Sequence, residues 1–454
     1  MKAIAAHVPK TKREIRREIR YLAFPAIGEM MLHMIVGMSD VAFVGRLGAS
    51  ELAAIGIATN ILFTVIFVFA AIGIGATAIV ARYFGAGDPI KANYVAGQAF
   101  TMGLIIAICI GGLGFFFAES LTSVFSNDPE VVRHGTAYLE VTAVPAVFML
   151  VFFVMRGIVI GSGNTKLPLF LAIIATILNV VGNYVLIFGK WGFPALGVAG
   201  AAWATSFSLS FASILLIITL FSGKIRVQLN WGTIIKPDVQ TMKRILRVSI
   251  PAQLEELMKG GSNLLVTLII SLNLGALAYA AHTVSLSVES LSYMPGVGFA
   301  IATTALVGQT LGAKLHAQAE QVGWEAFKMT GALMAVFGVV FLLFSEPIAR
   351  LFTNDPNVIP IASLIIKIAA IEQPFMALEF VLAGALRGAG DTRWALYITL
   401  FGNWCVRIPG MLLVLLVFNG GIYSVWIVFI LDWIIRASIA MWRFRSGKWK
   451  LIDV

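Results

Sequence analysis

Twelve long apolar runs limit what this chain can fold into. A helix needs about 20 mostly apolar residues to cross the hydrocarbon core of a bilayer. Such runs recur at roughly 21–46, 52–82, 92–118, 136–160, 167–189, 195–222, 247–273, 277–311, 324–345, 359–385, 394–418 and 421–443. They are longer than β-barrel strands and lack alternating polarity, and lipid leaves only such closed barrels or helices to satisfy the backbone. The expected fold class is therefore an all-α integral membrane protein with 12 transmembrane helices. The balance of residues agrees, with 59% hydrophobic, 12% charged and a mean hydropathy of +0.91. A soluble domain carries about 25% charged residues, so a soluble enzyme, a disordered chain and a nucleic-acid module are excluded. Cys109 and Cys405 both lie in apolar runs, which gives neither a disulfide framework nor metal-ligand spacing. The basic N-terminus leads into its first apolar run without a small-residue cleavage pattern, so it is expected to be retained.

The net charge of +10 is concentrated in a few loops. Lys2, Lys10, Lys12, Arg13, Arg16, Arg17 and Arg20 precede the first run. Lys224, Arg226, Lys236, Lys243, Arg244 and Arg247 follow the sixth, and Arg443, Arg445, Lys448 and Lys450 close the chain. The alternate loops hold Arg46, Arg133, Lys190 and Arg350. An even number of spans places all the dense clusters on one side, which the positive-inside rule makes cytoplasmic. Both termini of this multi-pass cell-membrane protein are then cytoplasmic, and Thr11–Arg20 is expected along the lipid interface. The partners implied are membrane lipids, with no nucleic acid. The organisation read from this is a basic N-terminus (1–20), an N-lobe with spans 1–6 (21–222), a cytoplasmic linker (223–246), a C-lobe with spans 7–12 (247–443) and a tail (444–454).

The chain also repeats itself. Phe125-Ser126-Asn127-Asp128-Pro129 returns as Phe352-Thr353-Asn354-Asp355-Pro356, and Gly161-Ser162-Gly163-Asn164-Thr165-Lys166 as Gly388-Ala389-Gly390-Asp391-Thr392-Arg393, both shifted by 227. Leu47-Gly48-Ala49 matches Leu274-Gly275-Ala276, Gly85-Ala86 matches Gly312-Ala313, and Pro25-Ala26 with Glu29 matches Pro251-Ala252 with Glu255 at 226. Two pseudo-symmetric six-helix bundles follow, both starting on the same side, as in parallel-repeat secondary transporters. No strand–GxxxxGK[ST]–helix phosphate loop is present, so no cofactor is called for and an ion gradient is the remaining energy source.

Polar residues inside the spans ask for a reason, because a charge at the bilayer centre costs about 2.5–3.5 kcal/mol on insertion scales. The first half has Asp40 late in span 1, Asn179 and Asn183 on one face of span 5, and Thr205 in span 6. A carboxylate with amide and hydroxyl oxygens suits Na⁺, and the same carboxyl could instead carry a proton. In the second half Thr267 stands where the repeat would put Asp40, and the acids are Glu255, Glu256, Glu289, Glu372 and Glu379, with Lys259 and Lys367 as partners to consider. Glu255 and Lys259 are i,i+4, the spacing of a helical ion pair. Pro25 in span 1 weakens the helical ladder, as a hinge or as a static kink. Met34, Met38, Met149, Phe152, Phe153, Met294, Phe299 and Met376 are candidates for an adaptable apolar cavity.

These residues together resemble the multidrug and toxic compound extrusion (MATE) family over nearly the whole chain. The resemblance rests on the two six-span halves, Pro25 with Asp40 in span 1, the FSNDPEV/FTNDPNV and GSGNTK/GAGDTR pairs, and Asn179-Val-Val-Gly-Asn183. It implies a V-shaped transporter, a monomer, that exports small cationic amphipathic drugs against H⁺ or Na⁺. It further implies a cation site of Asp40, Asn179 and Asn183 with Thr205 nearby, controlling alternating access. One branch of the family has Asp where this chain has Asn183. Another has a C-lobe cluster with a span-7 Glu and a span-10 Asp, and here Met376 stands near that second place, with Glu372 one turn away. A flippase for lipid-linked precursors would call for a basic cavity, whereas the intramembrane excess is acidic. An intramembrane enzyme would need a catalytic constellation, and His7, His33, His134, His282 and His316 form no HExxH.

The charge pattern makes a direct prediction about topology. With cysteine introduced as Asp128→Cys or Asp355→Cys, an impermeant thiol reagent should label whole cells, and Lys236→Cys should be protected. The reverse pattern would invert the assigned orientation.

Overall fold

The computed structural model describes residues 10–44, 56, 58–59, 62, 64–66, 68–124 and 128–454. Lys2, His7, Arg46, Leu47–Ala49, Phe125–Asn127 and most of 52–63 lie outside the described residues. Among those described, the ordered elements are helices: α1 (Lys12–Val44), α2 (Ile72–Gly85), α3 (Pro89–Phe116), α4 (Ala118–Ser123), α5 (Pro129–Gly161), α6 (Lys166–Phe188) and α7 (Val198–Phe221). They continue with α8 (Trp231–Ile234), α9 (Val239–Gly312), α10 (His316–Phe352), α11 (Val358–Gly388), α12 (Thr392–Val417) and α13 (Ile422–Arg445).

Among the described residues, eleven helices are long and apolar enough to cross a membrane. One of them, α9, has 74 residues and would be about 110 Å long at 1.5 Å per residue, several times a bilayer core. Gly275 divides it, with φ 77° and ψ −179°, a backbone region that is essentially glycine's alone. The arms 239–274 and 276–312 bring the crossing stretches to twelve, with the break in the gap read from the sequence. Thr11–Arg20 forms the start of α1, with most of its side chains exposed. Helix α1 is continuous from Lys12 and stays helical through Pro25. Ile15 and Ile19 on its first turns are buried, the Lys10 backbone N–H donates to Gln318, and Arg16 pairs with Glu325 at 2.5 Å. Protein thus covers Ile15 and Ile19 on this stretch.

The chain forms two compact units, one of residues 28–253 and one of residues up to Ile27 with Leu254–Val454. In the first, segment 223–246 is docked on α3. Gln98 donates to the Thr233 and Lys236 carbonyls and accepts from the Asp238 N–H, and Asn93 accepts from Gln228. Asp238 lies outside the spans, and a hydrogen bond from Thr241 holds its carboxyl below its ordinary range.

Local geometry repeats with the sequence. Phe117 ends α3 at φ −112°, ψ 15°, and Phe344, 227 residues later, kinks α10 at φ −120°, ψ 23°. Asp128 caps α5 by accepting from the Glu130 N–H, and Asp355, in the turn ahead of α11, accepts in the same way from the Asn357 N–H. The strongest repeat is a contact between backbones. A β-carbon on Gly157 or Gly161 of α5 would stand 2.8 Å from the Gly73 or Thr77 carbonyl oxygen of α2. In the other unit, one on Gly384 of α11 would stand 2.7 Å from the Ala300 carbonyl, and one on Gly388 closer still to that of Thr304. Each pair is a small-xxx-small helix contact of the kind that replaces hydrophobic driving force in lipid. Thr77 and Thr304 turn their hydroxyls back to the carbonyls of Gly73 and Ala300, so neither leaves a polar group open.

Gly161→Ala and Gly388→Ala should each lower stability by about 1–3 kcal/mol, the cost of overpacking, and reduce the melting temperature of the purified protein. Gly112→Ala, with open space around it, is the control and should leave that temperature unchanged.

Candidate functional site

In the unit of residues 28–253, three helices bring the expected polar residues together. Asp40 comes from α1, Asn179 and Asn183 from one face of α6, and Thr205 from α7. Asn179, Asn183 and Thr205 are almost wholly buried, and Asp40 is partly so. Asn183 donates one amide hydrogen to Asp40 Oδ1 at 2.5 Å and the other to Asn179 Oδ1 at 3.3 Å. Asn179 in turn donates to Thr205 Oγ1 at 3.0 Å. One of these bonds ends on the carboxyl, and the other two tie Asn183 through Asn179 to Thr205. Asn183 Oδ1 has no partner among the described residues, so this group can accept a proton at Asp40 or offer several oxygens to a small hard cation. Tyr138 of α5, buried with its hydroxyl on Thr59, is an electrostatic neighbour of Asp40. Its sequence position alone gave no sign of this.

Glu29 is also buried, and Arg156 of α5 forms an ion pair with it while His33, one turn on, lies 3.9 Å away. The other unit repeats the arrangement. Glu255 pairs with Arg387 of α11 and, one turn on, with Lys259 at 2.8 Å. Thr399 of α12 donates to Glu255 at 3.3 Å. The recurrence of Glu29 as Glu255 was legible in the sequence, whereas the arginine that closes each pair was not. Glu256 is half-exposed and reaches Lys259 at 3.1 Å. Lys367 is exposed and partners none of these acids. Glu372, wholly buried, stays out of the Glu255 group and lies with Glu289.

The apolar candidates divide. Met149 and Met376 sit in the hydrophobic cores of their units, and Phe152 and Phe299 are equally buried. Met34, Phe153 and Met294 are half-buried and Met38 is exposed, which leaves them open to a ligand.

Arg387→Met should lower stability by about 1–3 kcal/mol, because it removes one of the two cations on a buried carboxylate and leaves Lys259 as the other. Adding Glu255→Gln should restore most of the melting temperature lost. A single substitution as mild as the double would show that the pair is not a buried match of charges.

The MatE family model matches twice, over residues 25–185 and 251–413. The chain is 32% identical over 438 residues to the "Probable multidrug resistance protein NorM" of Thermotoga maritima, covering 96% of this chain and 94% of that one. It is 27% identical over 394 residues to the "Multidrug resistance protein PmpM" of Pseudomonas aeruginosa, covering 87% and 82%. Its fold matches a solved structure described as the "Outward-facing conformation of a multidrug resistance MATE family transporter of the MOP superfamily", with TM-score 0.91, 22% identity and 99% of both chains covered. Two matches to one model in one chain, each falling on one half of the internal repeat, leave a single conclusion: this chain is a multi-pass membrane protein of the MATE family, a family of transporters and not of enzymes.

Proposed function

We propose that this protein is a secondary active multidrug efflux antiporter that exports cationic amphipathic compounds in exchange for H⁺ or Na⁺, with both termini cytoplasmic. The relatives' names support the substrate class, and the basic loops support the orientation. The observation that carries the coupling is the bond from Asn183 to the Asp40 carboxyl. A hydrogen bond to an ionised acceptor is roughly twice as strong as a neutral one. Loading Asp40 with a proton therefore weakens the tie between α1 and α6 and turns the carboxyl from acceptor to donor. Na⁺ would act on the same bond by competing for the carboxylate oxygens. Freed from α6, α1 can shift, with Pro25 removing one rung of its ladder. Of the apolar candidates, Met34, Met38, Phe153 and Met294 remain available to a drug.

Ion and drug then bind in alternation, and linkage makes their mutual weakening reciprocal. In proteoliposomes with H⁺ and Na⁺ gradients imposed separately, one of the two should drive export of ethidium. Asp40→Asn should abolish export while leaving the melting temperature unchanged, Asn179→Ala should weaken it, and Glu255→Gln should be milder than either. Equilibrium binding of ethidium should weaken by about 5–150-fold as the coupling ion saturates, and Asp40→Asn should remove that dependence. Full export by Asp40→Asn would end the reading.

A further inference from the structure

Each compact unit contains the opening turns of the helix that begins the other half of the chain. Lys12–Ile27 of α1 belongs with Leu254–Val454, and Val239–Gln253 of α9 belongs with 28–253. The internal repeat relates these two segments, and it also relates the helices that receive them, α3 from Pro89 and α10 from His316. Even the caps correspond. Ahead of α9, Asp238 accepts from the Gln240 N–H and the Thr241 hydroxyl. Ahead of α1, Thr11 stands 227 residues earlier and exchanges hydrogen bonds with Glu14 in a capping box. In both units a glutamine oxygen then takes a backbone N–H at the helix start. Gln98 accepts from Asp238 at 2.7 Å, and Gln318 from Lys10 at 3.0 Å.

The segments that follow the last helix of each half correspond as well. Ser222-Gly223-Lys224 comes after α7 and Ser446-Gly447-Lys448 after α13, with Gly223 at φ 70° and Gly447 at φ 67°. Each serine hydroxyl donates to the carbonyl three residues back. Beyond them the two units hold the chain differently. On α3, Asn93 accepts from the Gln228 N–H at 2.9 Å, and Gln98 donates to the Thr233 and Lys236 carbonyls. The α10 positions 227 residues later are Glu320 and Glu325. Glu320 accepts from Lys450 of the tail at 2.5 Å, and Glu325 from Arg16 of α1 at 2.5 Å and Lys328 at 2.9 Å. Neutral amides bonded to backbone in one unit are thus carboxylates bonded to lysine and arginine in the other. Arg16 is exposed, whereas Ile15, Ile19, Trp449 and Val454 are buried. Trp449 stacks on Phe444 at 4.8 Å, and Val454 lies against Gly390.

We propose that the opening turns of α1 and the tail 446–454 form a clasp on α10 that charge holds and releases, while the equivalent dock of 223–246 on α3 stays closed. The difference lies in the anchors. Ion pairs between partly exposed groups are weak and are screened by salt. Gln98 is wholly buried, and its bonds join neutral groups that salt does not screen. With the clasp shut, Lys12–Ile27 is part of the unit of Leu254–Val454, and with it open that stretch of α1 is released. One of two repeated joints is therefore a switch and the other is fixed. The clasp requires neither the Asp40 site nor a drug.

Opening is read by the reactivity of buried thiols toward N-ethylmaleimide, an uncharged reagent, on purified full-length protein carrying Cys109→Ser and Cys405→Ser. Ile15→Cys and Val454→Cys report the clasp, and Val227→Cys, wholly buried in the other unit, reports the dock on α3. Raising NaCl from low to molar concentration should speed labelling of Ile15→Cys and Val454→Cys about 2–5-fold and leave Val227→Cys unchanged. Arg16→Glu should speed labelling of Ile15→Cys about tenfold, and Glu325→Arg added to it should restore the slow rate. Lys450→Glu and Glu320→Lys should act on Val454→Cys in the same way. Labelling of the clasp positions that neither salt nor the charge variants change overturns the proposal, and so does an equal rise at Val227→Cys. Should the charge variants not fold, the salt series, which needs none of them, decides the matter.

Discussion

A carboxyl group withdrawn from water inside a helical bundle has to be matched by a cation, by hydrogen-bond donors or by a proton, and the interior of this protein is organised by which match each acid receives. Glu29, Glu255, Asp432 and Asp391 each meet an arginine, on Arg156, Arg387, Arg407 with Arg436, and Arg443. Guanidinium suits this task, being always charged and more weakly hydrated than an ammonium. Such matches hold helices in register and change little with pH. Asp40 meets an amide, which offers donors without charge. Where charge is left incompletely answered, a mobile cation can complete it, so the unmatched acid is the natural place for exchange.

Much of the fold was legible because lipid imposes a coarse rule, about 20 apolar residues per crossing, that needs no knowledge of packing. The break between spans 7 and 8 was readable for the same reason, although the device that makes it, Gly275 at positive φ, is a single residue in an apolar context. In the first turns of α1 a basic amphipathic stretch reads alike whether its apolar face meets lipid or protein. Ile15 and Ile19 take the second option. The Asp40, Asn179, Asn183 and Thr205 group was legible because polar residues stand out against an apolar background. Arg156, Arg387 and Arg407 were not, since each lies near a helix end or beside a proline where a basic residue looks ordinary. Only long-range contact shows that they reach inward. Tyr138 and the burial of Met149, Phe152, Phe299 and Met376 belong to the same class of fact.

The internal repeat keeps architecture and releases chemistry. The i to i+2 backbone bonds of Asp128 and Asp355, the Phe117 and Phe344 kinks and the glycine contacts recur in register. The buried glutamate with a basic residue one turn on and an arginine across from it also recurs, but His33 in one half is Lys259 in the other. Asn164 starts its helix by accepting from the backbone, whereas Asp391 at the matching place takes Arg443 instead. Asp40 is answered by Thr267, and the cluster of Asp432 with Arg407 and Arg436 has no counterpart among the described residues of the other half. Duplication thus supplied two scaffolds of one shape, and the ionisable groups diverged on them.

The glycine contacts carry a mechanical consequence. Where two helices meet through layers of side chains, they can slide by exchanging rotamers, and the joint is compliant. Between α2 and α5, and between the second arm of α9 and α11, carbonyl oxygens lie where β-carbons would be, so no such layer exists to yield. Each pair behaves as a welded strut whose members rotate and translate together. Strain arising elsewhere in a unit would bypass these pairs and concentrate in helices joined through side-chain layers, such as the π-distorted α12, whose Gly402 and Gly410 face side chains and not backbone.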